Sequence, residues 1–326
     1  MTKAIRIHEY GGPDVLRWED VPMPEPGPDD AIVRNEAVGL NFVDVYFRTG
    51  LYKVSALPSV LGQEGAGVVI TTGNRVTNVR PGDRVAYGTG PLGAYSTARL
   101  IPADRLVKLP DGIEFTAAGT MMLQGMTAYY LLHRTRQLKA GETILIHAAA
   151  GGTGLILCQW ANHLGAHVIG VVSTPAKGEL ARAHGAAHVL VGAQNLAAEV
   201  KRITGGAMVP VVYDSVGRDT FLQSLDCLAP LGLMVSFGSA SGPVGSVDLG
   251  LLAAKGSLFL TRPSLATYVA HRPELEQASA ALFDVVLSGA VKIDVNQSFP
   301  LREAAAAHRA LEARQTTGST VLLPGA

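Results

Sequence analysis

The sequence predicts an α/β chain of two domains, an antiparallel β-barrel or sandwich followed by a parallel, doubly wound sheet. Three observations support this fold class. The 326 residues are about twice the length of an average domain. Short alternating runs between Gly- and Pro-rich turns fill the first third of the chain. From residue 143 to about residue 260, β-branched runs alternate with helical segments, which is the pattern of a parallel sheet covered by helices.

The strands of the first third are predicted from runs such as KAIRIHEY, AIVRNEAVGL and GAGVVITTG. PGP at 26–28 and PGD at 81–83 are typical turn sequences between such runs. The character changes near residue 115, where FTAAGTMMLQGMTAYYLLHRT has apolar residues at helical spacing. We therefore expect antiparallel strands followed by one long helix over 115–135.

The middle of the chain carries the predicted parallel sheet. Its strands are predicted at 143–148, 167–172, 188–191, 210–215, 232–238 and 257–260. The helices between them are predicted at 152–164, 176–185, 195–204 and 218–228.

The tail has too little apolar sequence for a core of its own. It carries predicted helices at 274–288 and 301–314, and short strands at 291–295 and 319–324. We expect it to fold back onto the first domain, which makes that domain discontinuous. The predicted domains are 1–124 with 265–326, and 125–264.

Composition limits the classes of function. The 27 basic and 27 acidic residues give a formal net charge of zero, which argues against a nucleic-acid partner. Cys158, one of two cysteines, lies in an apolar helical segment and is expected to be a buried reduced thiol. The N-terminus lacks the apolar region of a signal peptide, and no apolar run reaches the roughly 18 residues of a membrane helix. We expect a soluble cytoplasmic protein.

A glycine cluster follows the first strand of the parallel sheet and opens a helix. The stretch AAGGTG at 149–154 has the form A-x-G-x-x-G. Glycines at such a turn let the backbone approach a pyrophosphate, and the free N–H groups of the helix start face the anion. The stretch therefore predicts a dinucleotide site formed by Gly151, Gly152, Thr153 and Gly154.

The end of the next strand bears on which dinucleotide binds. NAD sites usually carry an acidic residue there, but this chain has STPAK at 173–177. The hydroxyl of Ser173 and the ammonium of Lys177 suit the 2′-phosphate of NADPH, which a carboxylate would repel. In the alternative interpretation, Ser173 caps the next helix and Lys177 is only solvated.

A metal site is not expected. Zinc needs three or four Cys, His or carboxylate ligands, and no cysteine precedes Cys158. His163 with His167, and His184 with His188, have the i, i+4 spacing of a helical pair. In each pair a glycine between the two histidines breaks the helix, so the rings do not share a face.

Many segments of the chain resemble one family from end to end. They include GGPDVL, VGLNFVDVYFRTGLY, PGDRVAYG, LGAYS, QGMTAYYLL, GETILIHAAAGGTGLILCQWA, VVYDSVGRDTF, GLMVSFG and SLFLTRPSL. On these residues the chain resembles the zinc-independent quinone oxidoreductases of the medium-chain dehydrogenase/reductase superfamily, the group that includes zeta-crystallin. Gln159 fits the family signature, whereas Asn162 stands where a basic residue or Ser is usual. The resemblance implies a GroES-like β-barrel catalytic domain, an α/β Rossmann domain that binds NADPH, and an active-site cleft between them.

The resemblance also agrees with a site without zinc. In zinc-using relatives a cysteine stands where this chain has Asn41, and a histidine stands where it has Gln63 before Glu64. The cysteine-rich loop that holds a structural zinc is absent from the sequence.

Individual roles follow from the resemblance. Asn41, Tyr46 and Tyr52 would be catalytic, and Gln63 would line the substrate cleft. The implied cofactor contacts outside the glycine turn are Phe42, Asp44, Thr127, Tyr129, Ser173, Lys177, Ser215, Phe237, Gly238, Ser239, Arg262, Pro263, Ser264 and Arg314. Gly192 departs from close relatives, which often have a tyrosine there, packed near the adenosine.

Several of these residues have a second interpretation. Tyr46 and Tyr52 could be core aromatics, and Arg262 could be an ordinary surface residue. Asn41 lies in an apolar context, where an unsatisfied amide costs about 1–3 kcal/mol, so it needs a protein or ligand partner. Glu64 is expected to position its loop rather than to act in catalysis.

The function implied is NADPH-dependent reduction of a quinone by hydride or electron transfer without a metal. A quinone needs little polarisation because its reduction product is aromatic, so positioning and exclusion of water suffice. Two alternatives stay open: a zinc-independent reductase of the C=C bond of an enal or enoyl thioester, and an NADPH-binding structural or RNA-binding protein. The strand at 257–260 is either an edge that pairs across a homodimer through the Rossmann domain or the last strand of a monomer.

Overall fold

The computed structural model of the chain describes residues 1–192 and 194–326 and divides into two compact units. The first unit comprises Met1–Met126, Tyr268–Leu287 and Ile293–Ala326, and the second comprises Thr127–Thr267 and Ser288–Lys292. The first boundary lies after residue 126, where 124 was predicted, and the second after residue 267, where 264 was predicted. Most of the tail belongs to the first unit, but residues 288–292 belong to the second.

The N-terminal part of the chain forms short strands and two helices. They are β1 (Thr2–Ile7), β2 (Arg17–Val21), β3 (Asp30–Leu40), α1 (Phe42–Thr49), β4 (Ser59–Val60), β5 (Gly65–Thr72), β6 (Arg84–Tyr87), β7 (Ala98–Pro102), β8 (Val107–Lys108) and α2 (Phe115–Tyr130). Helix α2 continues into a π-helical turn at Leu131–Thr135, so the predicted helix over 115–135 widens in its last turn.

The second unit alternates strands and helices as predicted, but its last two helices were not predicted. The elements are β9 (Thr143–His147), α3 (Gly152–His163), β10 (His167–Val172), α4 (Pro175–Ala183), β11 (Ala186–Val191), α5 (Leu196–Ile203), β12 (Val209–Asp214), α6 (Phe221–Asp226), β13 (Leu228–Ser236), α7 (Leu249–Ala254), β14 (Phe259–Thr261) and α8 (Leu265–Tyr268). Strand β13 begins at residue 228 and not at 232, and α6 is shorter than the predicted 218–228 because residues 215–220 form a loop.

The tail forms α9 (Arg272–Leu287), β15 (Val295–Pro300), α10 (Ala304–Glu312) and β16 (Ser319–Leu323). The predicted strand at 291–295 is wrong, because β15 begins at Val295 and pairs in parallel with β16. Strand β15 lies at the edge of its sheet and alternates exposed polar residues with partly buried ones, so it lacks an apolar pattern. An edge position also tolerates Pro300. The apolar alternation of VKIDV predicted the strand several residues too early.

Strand β3 is the centre of the first unit. Within the described ranges, the larger sheet has the order β15-β16-β3-β5-β6-β8 with β7 also paired to β3, and β2-β1-β4 form a smaller sheet. Inward-facing side chains such as Ile5, Val33 and Ile101 form its core. A Cβ on Gly67 would lie 1.9 Å from the carbonyl oxygen of Arg34, so the close approach of β5 to β3 requires glycine.

The second unit is built on a parallel sheet with the strand order β11-β10-β9-β12-β13-β14 among the described residues. The chain proceeds from β9 outward to β11, and then returns to β12 on the other side of β9. The strand order therefore reverses between β9 and β12, and ligands of such sheets bind beyond the carboxyl ends of the strands at this point. Leu145, Ile169, Val212 and Met234 are buried in its core.

Gln159 on α3 ties residues 288–292 to the second unit. Its side-chain nitrogen donates to the carbonyl oxygen of Lys292 at 3.0 Å, and its side-chain oxygen accepts from the N–H of Lys292 at 2.9 Å.

Cys158, one residue before Gln159, is buried and not in a disulfide, as predicted, and Cys227 is too. Burial raises the pKa of both thiols to about 12. Over residues 1–192 and 194–326, no helix has the length and apolar character needed to span a membrane.

Candidate active site

The predicted dinucleotide turn connects β9 to α3. Gly151 is the N-cap residue, with φ −80° and ψ 171°, and Gly152, Thr153 and Gly154 form the first turn of the helix. A Cβ on Gly154 would lie 2.2 Å from the carbonyl oxygen of Ala148, so only glycine lets the helix start this close to the strand. The first amides of a helix have no carbonyl partner within it. With the positive end of the helix dipole, they suit a pyrophosphate.

Most other predicted residues of the second unit follow the carboxyl ends of its strands. They are Ser173 after β10, Ser215 after β12, Phe237, Gly238 and Ser239 after β13, and Arg262, Pro263 and Ser264 after β14. Because the carboxyl ends of parallel strands meet at one edge, these residues lie at the edge that carries the glycine turn.

Direct contacts join three of these loops. The N–H of Ala240 donates to the carbonyl oxygen of Ser215 at 3.2 Å. The guanidinium of Arg262 donates to the carbonyl oxygen of Ser236 at 3.0 Å. A Cβ on Gly238 would lie 2.3 Å from the carbonyl oxygen of Ser215, so the loops after β12 and β13 pass too closely for any other residue.

A buried carboxylate that the sequence did not predict organises the loop after β12. Asp214 accepts hydrogen bonds from the backbone N–H groups of residues 216–217 at 2.7 and 3.1 Å, and from the hydroxyls of Thr220 at 2.7 Å and Ser224 at 3.1 Å. Ser224 also contacts the Nε2 atom of His147 at 2.9 Å, and burial lowers the pKa of this histidine. The available signal was an Asp at a strand end, a residue type whose side chain often accepts from the N–H two residues on in an Asx turn.

The residues after β10 show that the alternative interpretation of Ser173 as the cap of α4 is wrong. Thr174, and not Ser173, caps α4, because its hydroxyl accepts from the N–H of Lys177 at 3.3 Å. Ser173 is exposed at the strand end. Gly192, after β11, has φ +79° and nothing within 4 Å of a Cβ built on it. A larger residue there would have space but a strained backbone.

Two of the predicted cofactor residues lie on α2 and not at a strand end. Thr127 and Tyr129 are both buried. The ring of Tyr129 is 5.0 Å from that of His133 and 6.1 Å from that of Trp160, and burial lowers the pKa of His133. Contact of Thr127 and Tyr129 with a cofactor remains a prediction.

The predicted substrate residues of the first unit surround α1. The ring of Tyr46 is 6.4 Å from that of Phe42 and 5.3 Å, edge to face, from that of Tyr52. Tyr46 is buried, whereas Tyr52 is 38% exposed. Gly50 ends the helix with φ +80°, and a Cβ there would lie 2.8 Å from the ring of Tyr10, so both the backbone conformation and the space favour glycine. This turn places Tyr52 back against Tyr46.

Asn41 has protein partners at both ends of its amide, as its burial requires. Its nitrogen donates to Glu64 Oε1 at 2.5 Å, and its oxygen accepts from the side-chain nitrogen of Gln124 at 3.1 Å. Glu64 also accepts from the N–H of Leu123 at 2.8 Å, and Gln124 accepts from the hydroxyl of Ser319 at 2.9 Å. Burial raises the pKa of Glu64 to about 8, although the hydrogen bonds from Asn41 and Leu123 lower it.

A second series of buried hydrogen bonds ends at Asp44 on α1. Arg48 donates to Nδ1 of His308 at 3.1 Å and to both carboxylate oxygens of Glu312 at 2.8 Å. Nε2 of His308 contacts the hydroxyl of Tyr95 at 3.1 Å, and that hydroxyl donates to Asp44 at 3.1 Å. Burial lowers the pKa of His308 to about 3, so the ring is neutral, and burial raises the pKa of Asp44 to about 7. These contacts tie α1 to α10.

The remaining predicted residues are spread over the first unit. Gln63 lies in the loop between β4 and β5, and Arg314 follows α10 with φ +58°. Asp44 is fully buried, and its Oδ2 accepts from the N–H of Asn41 and the hydroxyl of Tyr95, whereas its Oδ1 has no hydrogen-bond partner among the described residues. The cofactor or substrate contacts of all three remain predictions.

The side chains at the expected zinc positions do not fit a zinc ion. Position 41 offers an amide already bonded to Glu64 and Gln124, and position 63 offers another amide. No group of three or more His, Cys, Asp or Glu residues able to hold a metal occurs within 1–192 and 194–326.

Comparison with known proteins covers the whole chain. The family model described as alcohol dehydrogenase GroES-like domain matches residues 27–111, and the one described as zinc-binding dehydrogenase matches residues 152–282. A quinone oxidoreductase of Pseudomonas aeruginosa is 55% identical over 326 residues, covering 99% of this chain and 100% of the relative. A 2-haloacrylate reductase of Burkholderia sp. is 49% identical over 337 residues, covering 100% of both.

A solved structure agrees with these relatives. The Escherichia coli quinone oxidoreductase complexed with NADPH has a TM-score of 0.97 and 48% identity, covering 99% of this chain and 100% of that one. The predicted fold class, a GroES-like domain with a Rossmann-type domain, is thereby confirmed.

Proposed function

Since the chain belongs to the quinone oxidoreductase family of the medium-chain dehydrogenase/reductase superfamily, we propose that it is an NADPH:quinone oxidoreductase. In the proposed reaction, a quinone gains a hydride from NADPH and a proton from water, and leaves as the hydroquinone. One observation carries the proposal. The glycine turn and the loops after β10, β12, β13 and β14 lie along the carboxyl edge of the sheet, and the glycine turn and the loop after β12 flank the point where the strand order reverses.

The second unit supplies the cofactor site in this proposal. Gly151 to Gly154 would hold the pyrophosphate, and Ser173 with Lys177 would hold the 2′-phosphate. An exposed hydroxyl at the strand end and a basic residue in the first turn of α4 support a preference for NADPH over NADH. The loops anchored by Asp214 would place the residues 237–239 against the nicotinamide end.

The first unit supplies the substrate groups. When bound, NADPH provides the hydride. Tyr46 and Tyr52 would orient the flat quinone ring, and Tyr52 has the exposure that such contact needs. Asn41 and the tyrosine hydroxyls would donate hydrogen bonds to the oxygen that gains negative charge. Such stabilisation suffices for an acceptor whose product is aromatic, so we propose that no metal takes part.

The test is the loss of absorbance of the reduced nicotinamide with a simple quinone, after treatment with a chelator. NADPH oxidation that depends on the quinone and survives the chelator supports the proposal. Asn41→Ala and Tyr52→Phe should each lower kcat/KM for the quinone while leaving the Kd of NADPH unchanged. If neither substitution affects quinone turnover, the assignment of the substrate site is wrong.

A second candidate is reduction of an activated C=C bond. The 2-haloacrylate reductase at 49% identity favours it, and Tyr52 could serve as the proton donor to carbon. Offering a 2-haloacrylate and a 2-alkenal in place of the quinone distinguishes the two. Turnover of the alkene alone would replace the quinone proposal.

We also propose a homodimer formed through the second unit, in the cytoplasm where NADPH is supplied. Strand β14 lies at the edge of its sheet and exposes Phe259 and Leu260, which favours pairing with a second copy. The two buried, unbridged cysteines agree with a reducing compartment. Light scattering of wild type and Phe259→Lys tests the dimer, since the substitution should yield monomers.

A further inference from the structure

We propose that Gln124 is a positioning residue of the quinone site, because it fixes the amide of Asn41 so that nitrogen, and not oxygen, is the group left for the substrate. This inference rests on the proposed function. Gln124 lies on α2 and is 6% exposed. In this proposal Gln124 does not touch the substrate and acts only by holding the amide of Asn41.

The direction of the hydrogen bonds around Asn41 carries the argument. The backbone N–H of Leu123 can only donate, so Glu64 Oε2 accepts from it. The other oxygen of Glu64 accepts from the Asn41 nitrogen, which places the Asn41 oxygen toward Gln124. Gln124 must then present its nitrogen to Asn41 and its oxygen to the hydroxyl of Ser319. A protonated carboxyl keeps acceptor lone pairs on both oxygens, so the two hydrogen bonds that Glu64 accepts are compatible with either of its ionisation states.

These hydrogen bonds leave one N–H of the Asn41 amide uncommitted. Its amide nitrogen carries two hydrogens, and Glu64 takes one of them. In the part of the chain that the structure describes, no second acceptor is bonded to this nitrogen. The oxygen is already bonded to Gln124, so Asn41 faces a ligand as a hydrogen-bond donor.

This orientation matches the chemistry of quinone reduction. The substrate oxygen gains negative charge as hydride arrives, so a donor stabilises the transition state and an oxygen lone pair would oppose it. Without the donor of Gln124, the Asn41 oxygen would lose its only side-chain partner among the described residues, and the amide would be held only by the bond to Glu64 and by the capping box with the N–H of Asp44.

The test compares substitutions of Gln124 that differ in donor capacity. Gln124→Met keeps the length of the side chain and removes the donor, whereas Gln124→Lys restores a donor toward Asn41. We expect Met to lower kcat/KM for the quinone by roughly ten- to a hundredfold, and Lys to stay within about threefold of wild type. The Kd of NADPH should not change in either variant. Thr120→Val is the matched control, because Thr120 is buried on the same helix and bonds only to carbonyls of that helix.

A double-mutant cycle separates positioning from general loss of structure. In an Asn41→Ala background, Gln124→Met should cost no further activity, because the two residues act as a unit. Additive losses, equal losses in the Met and Lys variants, or no loss in either would each overturn the proposal.

A measurement without turnover keeps this inference separate from the proposed function. The side-chain amide of Asn41 is identified in a nitrogen–proton NMR spectrum by its disappearance in Asn41→Asp. Its two protons should differ widely in shift in wild type, since only one faces Glu64, and should move in Gln124→Met but not in Thr120→Val. An unmoved signal would refute the role of Gln124. A moved signal in an enzyme that ignores quinones would refute only the quinone assignment.

Discussion

The two buried carboxyls near the start of α1 predict that the first unit loses stability as pH rises. Burial raises the pKa of Glu64 from 4.5 to about 8 and that of Asp44 from 3.8 to about 7. Between the unfolded and folded pKa values, the folded chain keeps a proton that the unfolded chain has released. The folded state therefore binds more protons, and the free energy of unfolding falls with rising pH by about 1.4 kcal/mol per unit for each group.

For Glu64 the loss accumulates from pH 4.5 to about pH 8 and then stops. Over this window it amounts to about 5 kcal/mol, which is comparable to the whole stability of many domains. Glu64→Gln removes the titration and keeps the volume. The difference in stability between wild type and the E64Q variant should therefore shift by about 5 kcal/mol in favour of the variant between these pH values.

Equilibrium urea denaturation at a series of pH values measures this. The chain has two tryptophans, and Trp18 lies in β2 of the first unit, so Trp160→Phe leaves a fluorescence signal that reports on that unit. Glu9→Gln, at an exposed position, is the control and should leave the pH dependence unchanged. Parallel pH profiles for wild type and E64Q would show that burial does not hold the proton on Glu64.

Three further predictions test other contacts. Arg48→Met should destabilise the first unit by about 3 kcal/mol, because it removes a buried guanidinium from its carboxylate and imidazole partners; an unchanged urea midpoint would contradict this. Gly154→Ala should weaken NADPH binding at least about tenfold, since its Cβ would lie 2.2 Å from the oxygen of Ala148. A titration of NADPH fluorescence measures this, and the control Gly12→Ala, with nothing within 4 Å of the added Cβ, should bind NADPH as wild type does. Ser173→Asp should lower kcat/KM with NADPH about tenfold or more and spare NADH, because a carboxylate repels the 2′-phosphate; an equal loss with both cofactors would remove Ser173 from the phosphate site.

The parallel sheet of the second unit was predictable because its signals are local. Strand β10 coincides with the predicted 167–172, and the glycine turn is where the sequence placed it. Backbone sterics explain this, since Gly154 and Gly238 stand where any side chain would collide with a neighbouring carbonyl. The edge strand β15 failed because a polar strand at a sheet edge has no apolar period to detect.

The buried polar chains of the first unit were not predictable from one sequence. Asn41 could be said to need a partner, but Gln124 and Ser319 are 83 and 195 residues from their bonded neighbours. His308 and Arg48 are likewise 260 residues apart. Ordinary residues in unremarkable stretches acquire these roles only when strands and helices distant in the chain come together, so neither spacing nor composition marks them.

The short return of residues 288–292 to the second unit limits how this protein can be divided or recombined. The backbone of Lys292 completes both hydrogen bonds of the Gln159 amide, yet it is separated from Thr267 by helix α9 of the first unit. A fragment of residues 127–267 would contain the Gln159 amide, on the helix α3 that begins at the glycine turn. It would lack the backbone of Lys292, to which this amide is bonded. In a chimaera of two relatives, the second unit should therefore fold properly only when residues 288–292 are taken from the same protein as residues 127–267.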